Sequence, residues 1–295
     1  MPLTFSARSH PGLRRAANED CYVARPDLGL FAVADGLGGH AAGQVASRMA
    51  IEAIEAVVAG TLPPEEQARQ GLEGAAGDRL SALVEGFRLG NRRIGLESEA
   101  SAKLAGMGTT LAAVLLDRVE RRPGSVHEAT TSERRLEGPG HPAGGGAGAR
   151  VGEQPETETG EAGAEAIVAH VGDSRVYLWS GGRLVRLTKD HSWVEEQVRR
   201  GDMTLAEARQ HPWRSLITRA LSGGEGLMVD VDRVALGRGD RLIVCSDGLS
   251  SVVSDEHIAR LLAAEPDDEE ACVRLLDAAI EAGGPDNITV IVLTI

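Results

Sequence analysis

The chain has 295 residues, of which 42% are hydrophobic and 25% charged, a composition typical of a globular protein and not of a disordered one. Lys and Arg total 31 against 44 Asp and Glu, and the net charge of −13 argues against nucleic acid or an anionic membrane as the main partner. The three cysteines are scattered without a CxxC pair, which indicates free thiols in a cytoplasmic protein.

The first half of the chain alternates short apolar runs with helical patterns. Residues 28–34 are short, apolar and flanked by glycine, as in a buried strand. Residues 41–58 and 80–94 carry apolar side chains at helical spacing, so each predicts a helix. Residues 109–116 and 166–171 are again short and apolar, and we expect them to be strands of one sheet.

The second half contains turn signals between apolar runs. Ser180-Gly181-Gly182 predicts a hairpin, and Gly237-Arg238-Gly239-Asp240 predicts a second one between the runs 229–236 and 241–246. The remaining predicted elements are helices at 203–210, after Ser254 and at 268–282, and a final strand at 288–295. Strands in hairpins with helices that do not strictly alternate with them predict an α+β fold.

Residues 118–165 interrupt this pattern. The segment is rich in Gly, Glu, Pro, Ser and Thr and has almost no apolar periodicity. Such a segment cannot bury enough apolar surface to offset the entropy of ordering it. We interpret it as a flexible insertion between two strands of one sheet, inert or used as a regulatory tether.

Aspartates directly follow or precede several apolar strands. Asp35 follows one strand, Asp173 and Asp247 follow two others, and Asp286 precedes the last. Each Asp by itself is explained as a turn former, particularly where Gly follows. Together, carboxylates at buried strand ends would repel each other unless cations lay between them, and oxygen ligands suit magnesium or manganese. The pattern favours a metal site and does not identify a reaction.

The order of the motifs identifies a resemblance. The chain resembles the type 2C metal-dependent protein serine/threonine phosphatases, bacterial branch, over all of its length except 118–165. The matching motifs are Arg15-Ala-Ala-Asn18-Glu19-Asp20, Asp35-Gly36-Leu-Gly38-Gly39-His40, Gly106-Met-Gly108-Thr109-Thr110, Val171-Gly172-Asp173-Ser174-Arg175, Leu187-Thr188-Lys189-Asp190-His191, Ile217-Thr-Arg219, Ser246-Asp247-Gly248 and Gly284-Pro-Asp286-Asn287.

The resemblance implies one catalytic domain over 1–295. Its expected fold is a β-sandwich of two mainly antiparallel sheets flanked by helices on both outer faces, a four-layer α-β-β-α arrangement. Residues 192–222 match the family's flap, a segment that borders the active site.

The resemblance also assigns metal ligands. Asp35 would bridge two divalent cations, manganese or magnesium, and the carbonyl of Gly36 would bind one of them. Asp247 and Asp286 would complete the other site, and Asp173 with Asp247 would hold a weaker third ion.

Four further residues match positions around the metals. Glu19 and Asp20 would hold waters of the metal centre, and His40 would be the general acid. Arg15 would bind the substrate phosphate, for which the paired donors of arginine are suited. Arg14 is the neighbouring alternative, and the family spacing selects Arg15.

The implied function is hydrolysis of phosphoserine and phosphothreonine in proteins, reversing a serine/threonine kinase in the bacterial cytoplasm. We expect a monomer with phosphoprotein substrates and with neither nucleic acid nor membrane as a partner. Two alternatives stay open: a catalytically silent module that binds phosphoproteins, and a hydrolase of small phosphorylated metabolites.

Overall fold

A computed structural model of the chain describes residues 3–39, 41–63, 65, 78–117 and 164–295. The strands in these ranges are β1 (Thr4–His10), β2 (Cys21–Arg25), β3 (Leu30–Ala34), β4 (Gly36–Leu37), β5 (Gly108–Thr109), β6 (Leu111–Asp117), β7 (Ala164–Val171), β8 (Arg175–Ser180), β9 (Arg183–Arg186), β10 (Asp230–Leu236), β11 (Arg241–Cys245) and β12 (Ile288–Thr294). The helices are α1 (Ala41–Val58), α2 (Arg79–Ala100), α3 (Trp193–Arg200), α4 (Leu205–Gln210), α5 (Asp247–Ser250), α6 (Asp255–Ala264) and α7 (Asp268–Glu281).

Two five-stranded antiparallel sheets form the centre of the fold. One has the strand order β1-β12-β11-β8-β9 and the other β10-β7-β6-β3-β2, while β4 and β5 pair separately. The prediction that the strands before and after the insertion belong to one sheet is confirmed, and β6 and β7 are direct antiparallel neighbours with Leu111 opposite Val171.

The side chains of the central strands pack on both faces, because successive residues of a strand point to opposite sides. In β3, Phe31 and Val33 pack between the two sheets, whereas Leu30, Ala32 and Ala34 pack against α1 and α2. The other sheet repeats this arrangement and is covered by α6 and α7. The result is the predicted four-layer sandwich, and its apolar layers extend to the strand ends where the aspartates lie.

The outer helices begin at polar capping residues, which satisfy backbone N–H groups that have no partner within the helix. The side chain of Asp78 accepts from the first turn of α2, and Ser254 caps α6 as predicted. At α4 the predicted capping box is present, with Thr204 and Glu207 each accepting from the other's backbone N–H. None of the helices in the described ranges is both long and apolar enough to cross a membrane.

The predicted hairpin at 229–246 is wrong. β10 pairs with β7 in one sheet, while β11 pairs with β8 and β12 in the other. The turn at 237–240 therefore carries the chain from one sheet to the next, and the N–H of Gly239 donates to the carbonyl of Ile295 at 2.8 Å. A turn signal predicts a change of direction and cannot say which strand becomes the neighbour.

The C-terminal boundary of the predicted insertion also needs correction. Ala164 and Glu165 belong to β7, where they pair with Leu236 and Ala235. Residues 118–163 lie outside the described residues, so the predicted flexibility of that segment stays a prediction. The strands β1 and β2 and the helices α3 and α5 were not predicted, since they are short or lack clear apolar periodicity.

Candidate metal centre

The strand-end aspartates converge at one end of the sandwich. The carboxyl groups of Asp35 and Asp247 are close enough to share a hydrogen bond, although they lie 212 residues apart in the chain. Burial raises the pKa of Asp35 well above its ordinary value, and the neighbouring carboxylates of Asp20, Asp247, Asp173 and Asp286 raise it further. The fold therefore gathers five acidic side chains from both sheets around one point.

Several carboxylate oxygens of this cluster have no hydrogen-bond partner. Oδ1 of Asp20, Oδ1 of Asp173 and Oδ1 of Asp247 are each buried and unpaired among the described residues. Burial is the main cause that raises the pKa of all three groups. Repulsion from Asp247 raises the pKa of Asp173 further, and repulsion from Asp286 raises that of Asp247. Unpaired buried carboxylate oxygens are destabilising by themselves, and they are the ligands that hard divalent cations prefer. The residues present thus fit a divalent metal centre.

Asp20 is fixed by two hydroxyl groups that the sequence did not single out. Its Oδ2 accepts from Ser246 Oγ at 2.8 Å and from Thr289 Oγ1 at 2.7 Å, and both hydroxyls are fully buried. Ser246 directly precedes Asp247, and Thr289 lies in β12. These contacts leave Oδ1 of Asp20 for the cluster. The local sequence gives no signal for these two residues, because hydroxyl side chains are common in and beside strands.

Asp35 is held through its backbone. The N–H of Thr110 and the hydroxyl of Thr109 both donate to the Asp35 carbonyl, at 2.9 and 2.8 Å. The N–H of Asp35 donates to Thr110 Oγ1, which is also 2.7 Å from the hydroxyl of Ser174. Thr110 therefore ties the Asp35 strand end to the turn that carries Asp173.

Gly36, which follows Asp35 and begins β4, and Glu19 both pack against the first turns of α1. A Cβ atom on Gly36 would lie 2.3 Å from the carbonyl oxygen of Gly43, so no other residue fits without moving the helix. Oε2 of Glu19 lies against the same Gly43, and Ser47 donates to the Glu19 carbonyl at 2.6 Å. The first turns of α1 therefore set the positions of both predicted residues.

Arg15 lies at the opening of the cluster. Its Nη2 donates to Asp286 Oδ2 at 2.6 Å, and this hydrogen bond raises the pKa of Arg15. Half of the Arg15 side chain stays exposed, at 51%. Arg14 is exposed, and its side chain forms no hydrogen bond or ion pair with any described residue. The structure thus brings Arg15, and not Arg14, to the predicted ligands.

The loop that carries Arg15 is fastened by Asn287, which adjoins Asp286. The side-chain amide of Asn287 donates to the carbonyls of Pro11 and Ala17 at 3.0 and 2.9 Å, and its Oδ1 accepts from the N–H of Glu19. One buried amide therefore sets the positions of Arg15 and Glu19 relative to Asp286. His40, the predicted general acid, lies outside the described residues.

A second group of possible ligands lies on β7, β10 and the segment before α3. Ligand atoms of His170, His191 and Asp230 lie within 4.8 Å of one another, and the two rings are stacked. The N–H of Gly172 donates to Nδ1 of His191 at 3.1 Å, so the neutral ring carries its proton on Nε2, which lies 3.2 Å from Asp230 Oδ2. A protonated Nε2 cannot bind a metal, and the group is better explained as a support for the turn before Asp173.

Burial, and after it electrostatic repulsion from His170, lowers the pKa of His191 to about 4, so the His191 ring is neutral at neutral pH. The backbone N–H of His191 also donates to the Gly172 carbonyl at 2.9 Å. One residue therefore holds both polar backbone atoms of Gly172, next to Asp173.

The chain is similar in sequence and structure to bacterial serine/threonine phosphatases. It is 38% identical over 290 residues to "Serine/threonine protein phosphatase PstP" of Mycobacterium tuberculosis, and the match covers 98% of this chain. The chain spans only 44% of the length of that relative. No protein-family model matches the chain.

Solved structures of bacterial serine/threonine phosphatases share the fold, and two of them illustrate the match. A crystal structure of the M. tuberculosis phosphatase PstP/Ppp matches with a TM-score of 0.73 and 36% identity, covering 99% of this chain and 98% of that one. The catalytic domain of PstP in complex with two manganese ions matches with a TM-score of 0.71 and 34% identity, covering 99% and 97%.

Proposed function

The chain belongs to the bacterial type 2C family of metal-dependent serine/threonine protein phosphatases, and from that membership we propose that it hydrolyses phosphoserine and phosphothreonine in proteins. The observation that carries the proposal is the cluster of buried carboxylates with unpaired oxygens, next to a half-exposed arginine. Buried negative charge calls for divalent cations, and an arginine beside it suits a phosphate group.

Asp35, the carbonyl of Gly36, Asp247 and Asp286 are the proposed ligands of two cations, with Asp173 and Asp247 holding a weaker third ion. The unpaired oxygens of Asp173 and Asp247 support these assignments. Manganese or magnesium bound there would activate water and neutralise charge that develops on the phosphoryl group. Asp20, fixed by Ser246 and Thr289, and Glu19 would orient the water around the ions.

Arg15 is the proposed phosphate-binding residue. Its planar guanidinium donates paired hydrogen bonds and keeps its charge at every physiological pH, so it holds a phosphate dianion in one orientation. The contact with Asp286 supports this role, because it keeps the guanidinium beside the proposed ligands. His40 as proton donor to the leaving alkoxide stays a prediction from the family resemblance.

The proposed setting is the bacterial cytoplasm, with residues 1–295 acting as one catalytic domain and 192–222 as its flap. All three cysteines are free thiols, which supports a reducing compartment. The substrates would be phosphoproteins, among them a serine/threonine kinase, and the net charge of −13 supports the absence of nucleic acid and membrane partners. We propose that the chain acts as a monomer.

The test is release of phosphate from a phosphothreonine peptide with millimolar manganese, with and without a chelator. We expect turnover that the chelator abolishes and that Asp35→Asn reduces by about 100-fold or more, since the carboxylate contributes to both proposed sites. Binding of the peptide without turnover would favour the silent module. A higher kcat/KM for small phosphorylated metabolites than for phosphopeptides would favour the metabolite hydrolase.

A further inference from the structure

A cavity of about 460 Å³ opens beside the proposed metal centre. It lies between the predicted flap and the segment that runs from α5 into α6. Asp173 and Asp247 line one part of it, so the cavity is continuous with the carboxylate cluster. Its volume is within the range of about 300–1,000 Å³ that is usual for ligand pockets.

The flap wall is formed by one face of α4. Leu205, Ala208 and Arg209 all line the cavity, and their spacing of three and four residues places them on the same side of a helix. The capping box of Thr204 and Glu207 fixes where this helix begins. Arg214 follows on the same wall.

Two of the four arginines that line the cavity are engaged by nearby carboxylates. Nη2 of Arg175 donates to Asp190 Oδ2 at 2.6 Å, and Nη2 of Arg186 donates to Glu195 Oε1 at 2.7 Å. Asp255, also on the wall, accepts from the hydroxyl of Tyr177 at 3.1 Å. Two arginines and three carboxylates leave one negative charge on this side of the cavity, at Asp255, whose carboxylate also lies 3.9 Å from Arg175.

The other two arginines have no such partner. The guanidinium groups of Arg209 and Arg214 form no hydrogen bond or ion pair within the described parts of the chain, and both residues are exposed. The guanidinium of Arg209 is near enough to Glu256 for electrostatic attraction but forms no hydrogen bond with it. With cations on Asp173 and Asp247, the four arginines outnumber the three other carboxylates that line the cavity, and the excess positive charge lies on the flap wall.

We propose that this cavity binds an acidic side chain of the phosphoprotein substrate, next to the phosphorylated residue, through Arg209 and Arg214. The proposal rests on the proposed function and extends it to substrate choice. Charge complementarity identifies the occupant, since an Asp or Glu side chain supplies the carboxylate that two unpaired guanidinium groups accept. The apolar side chains of Leu205 and Ala208 would contact the stem of that side chain.

The experiment compares two phosphothreonine peptides. One has glutamate on both sides of the phosphothreonine, and the other has glutamine at the same two positions. For the wild-type chain with manganese we expect about fivefold higher kcat/KM for the glutamate peptide, the size of an effect from partly exposed charge pairs. The preference should shrink as salt is raised, because salt screens exposed charges. The double variant Arg209→Gln/Arg214→Gln should hydrolyse both peptides at the same rate.

Two further variants make the test specific. Arg209→Glu/Arg214→Glu should instead prefer a peptide with lysine at the same positions. Arg199→Gln removes an exposed flap arginine that does not line the cavity, and it should keep the wild-type preference. Equal rates for both peptides in the wild type, or an unchanged preference in the double glutamine variant, would overturn the proposal.

Peptide binding provides a readout that does not need turnover. Fluorescence anisotropy with the manganese-loaded wild-type chain, and with peptides that carry a non-hydrolysable phosphonate in place of the phosphate, should show about fivefold tighter binding of the glutamate peptide, lost in Arg209→Gln/Arg214→Gln. If no variant hydrolyses either peptide but this binding preference is found, the proposed function is wrong and the acidic-side-chain site stands. If turnover occurs without any binding preference, the site is wrong and the function stands.

Discussion

Replacement of Arg15 should weaken phosphate recognition. We expect Arg15→Ala to lower kcat/KM for a phosphothreonine peptide by about 10- to 100-fold, since hydrogen bonds to charged groups contribute about 1.5–3 kcal/mol. Arg15→Lys should recover only part of this loss, because one ammonium cannot reproduce the planar pair of donors. Arg14→Ala is the matched control in steady-state kinetics, and an equal loss in that variant would contradict the assignment.

Some side chains of the centre can be identified from the sequence and others cannot. A carboxylate directly after an apolar strand is conspicuous, and Asp35, Asp173 and Asp247 could be singled out for this reason. Ser246 and Thr289 could not, because hydroxyl residues are common in strands and only the folded chain shows that both donate to Asp20. The choice of Arg15 over Arg14 rested on motif spacing alone, and the contact with Asp286 now gives it a physical basis.

Among the secondary structure elements, the turn between β7 and β8 matters most for the site. Gly172 has φ +107°, and a Cβ there would lie 2.5 Å from Cβ of Thr110, the residue that also holds Asp35. Its backbone N–H and carbonyl are both bound by His191. The turn is therefore fixed from two sides, and Asp173 follows it directly.

Gly172→Ala should lower the free energy of unfolding by more than about 2 kcal/mol, from unfavourable backbone conformation together with the clash against Thr110. Gly181→Ala is the matched control, since Gly181 also has positive φ, +54°, but no atom lies within 4 Å of its would-be Cβ. Urea denaturation of both variants separates the two contributions. Equal destabilisation would show that the contact with Thr110 is unimportant.

Local sequence patterns predict single helices and strands better than they predict which strands pair with each other. The helix at 41–58 was predicted to its observed bounds because its apolar face is continuous over the whole length. The helix predicted at 80–94 extends from Arg79 to Ala100, since its last turns are polar and exposed and carry no apolar signal. The pairing of β10 with β7 could not be predicted, because partner choice depends on packing between distant parts of the chain.

At the scale of the whole molecule, the two sheets hold together a set of mutually repelling carboxyl groups. Burial raises the pKa of Asp20 to about 7 and that of Asp173 to about 8, against 3.8 for an ordinary aspartate. The folded chain therefore binds more protons than the unfolded chain between about pH 4 and pH 8. Its stability without metal should fall as the pH rises through that window.

Thermal melts of the metal-free chain should show this linkage. We expect a lower Tm at pH 8 than at pH 5.5, and a larger increase on adding manganese at pH 8, where protons no longer compete for the carboxylates. Asp35→Asn should flatten the dependence on pH, because it removes one repelling charge. Asp202→Asn, an exposed change in the flap, is the control, and a flat wild-type profile would count against the buried cluster.

Calorimetric titration of manganese into the metal-free chain at neutral pH measures whether the buried aspartates bind divalent cations. We expect saturable uptake with release of protons, detected as a dependence of the heat on the ionisation enthalpy of the buffer. Uptake should be strongly weakened in Asp35→Asn and Asp247→Asn. Absence of saturable heat in the wild type, or identical titrations in all three proteins, would contradict the claim that these aspartates form a divalent metal centre.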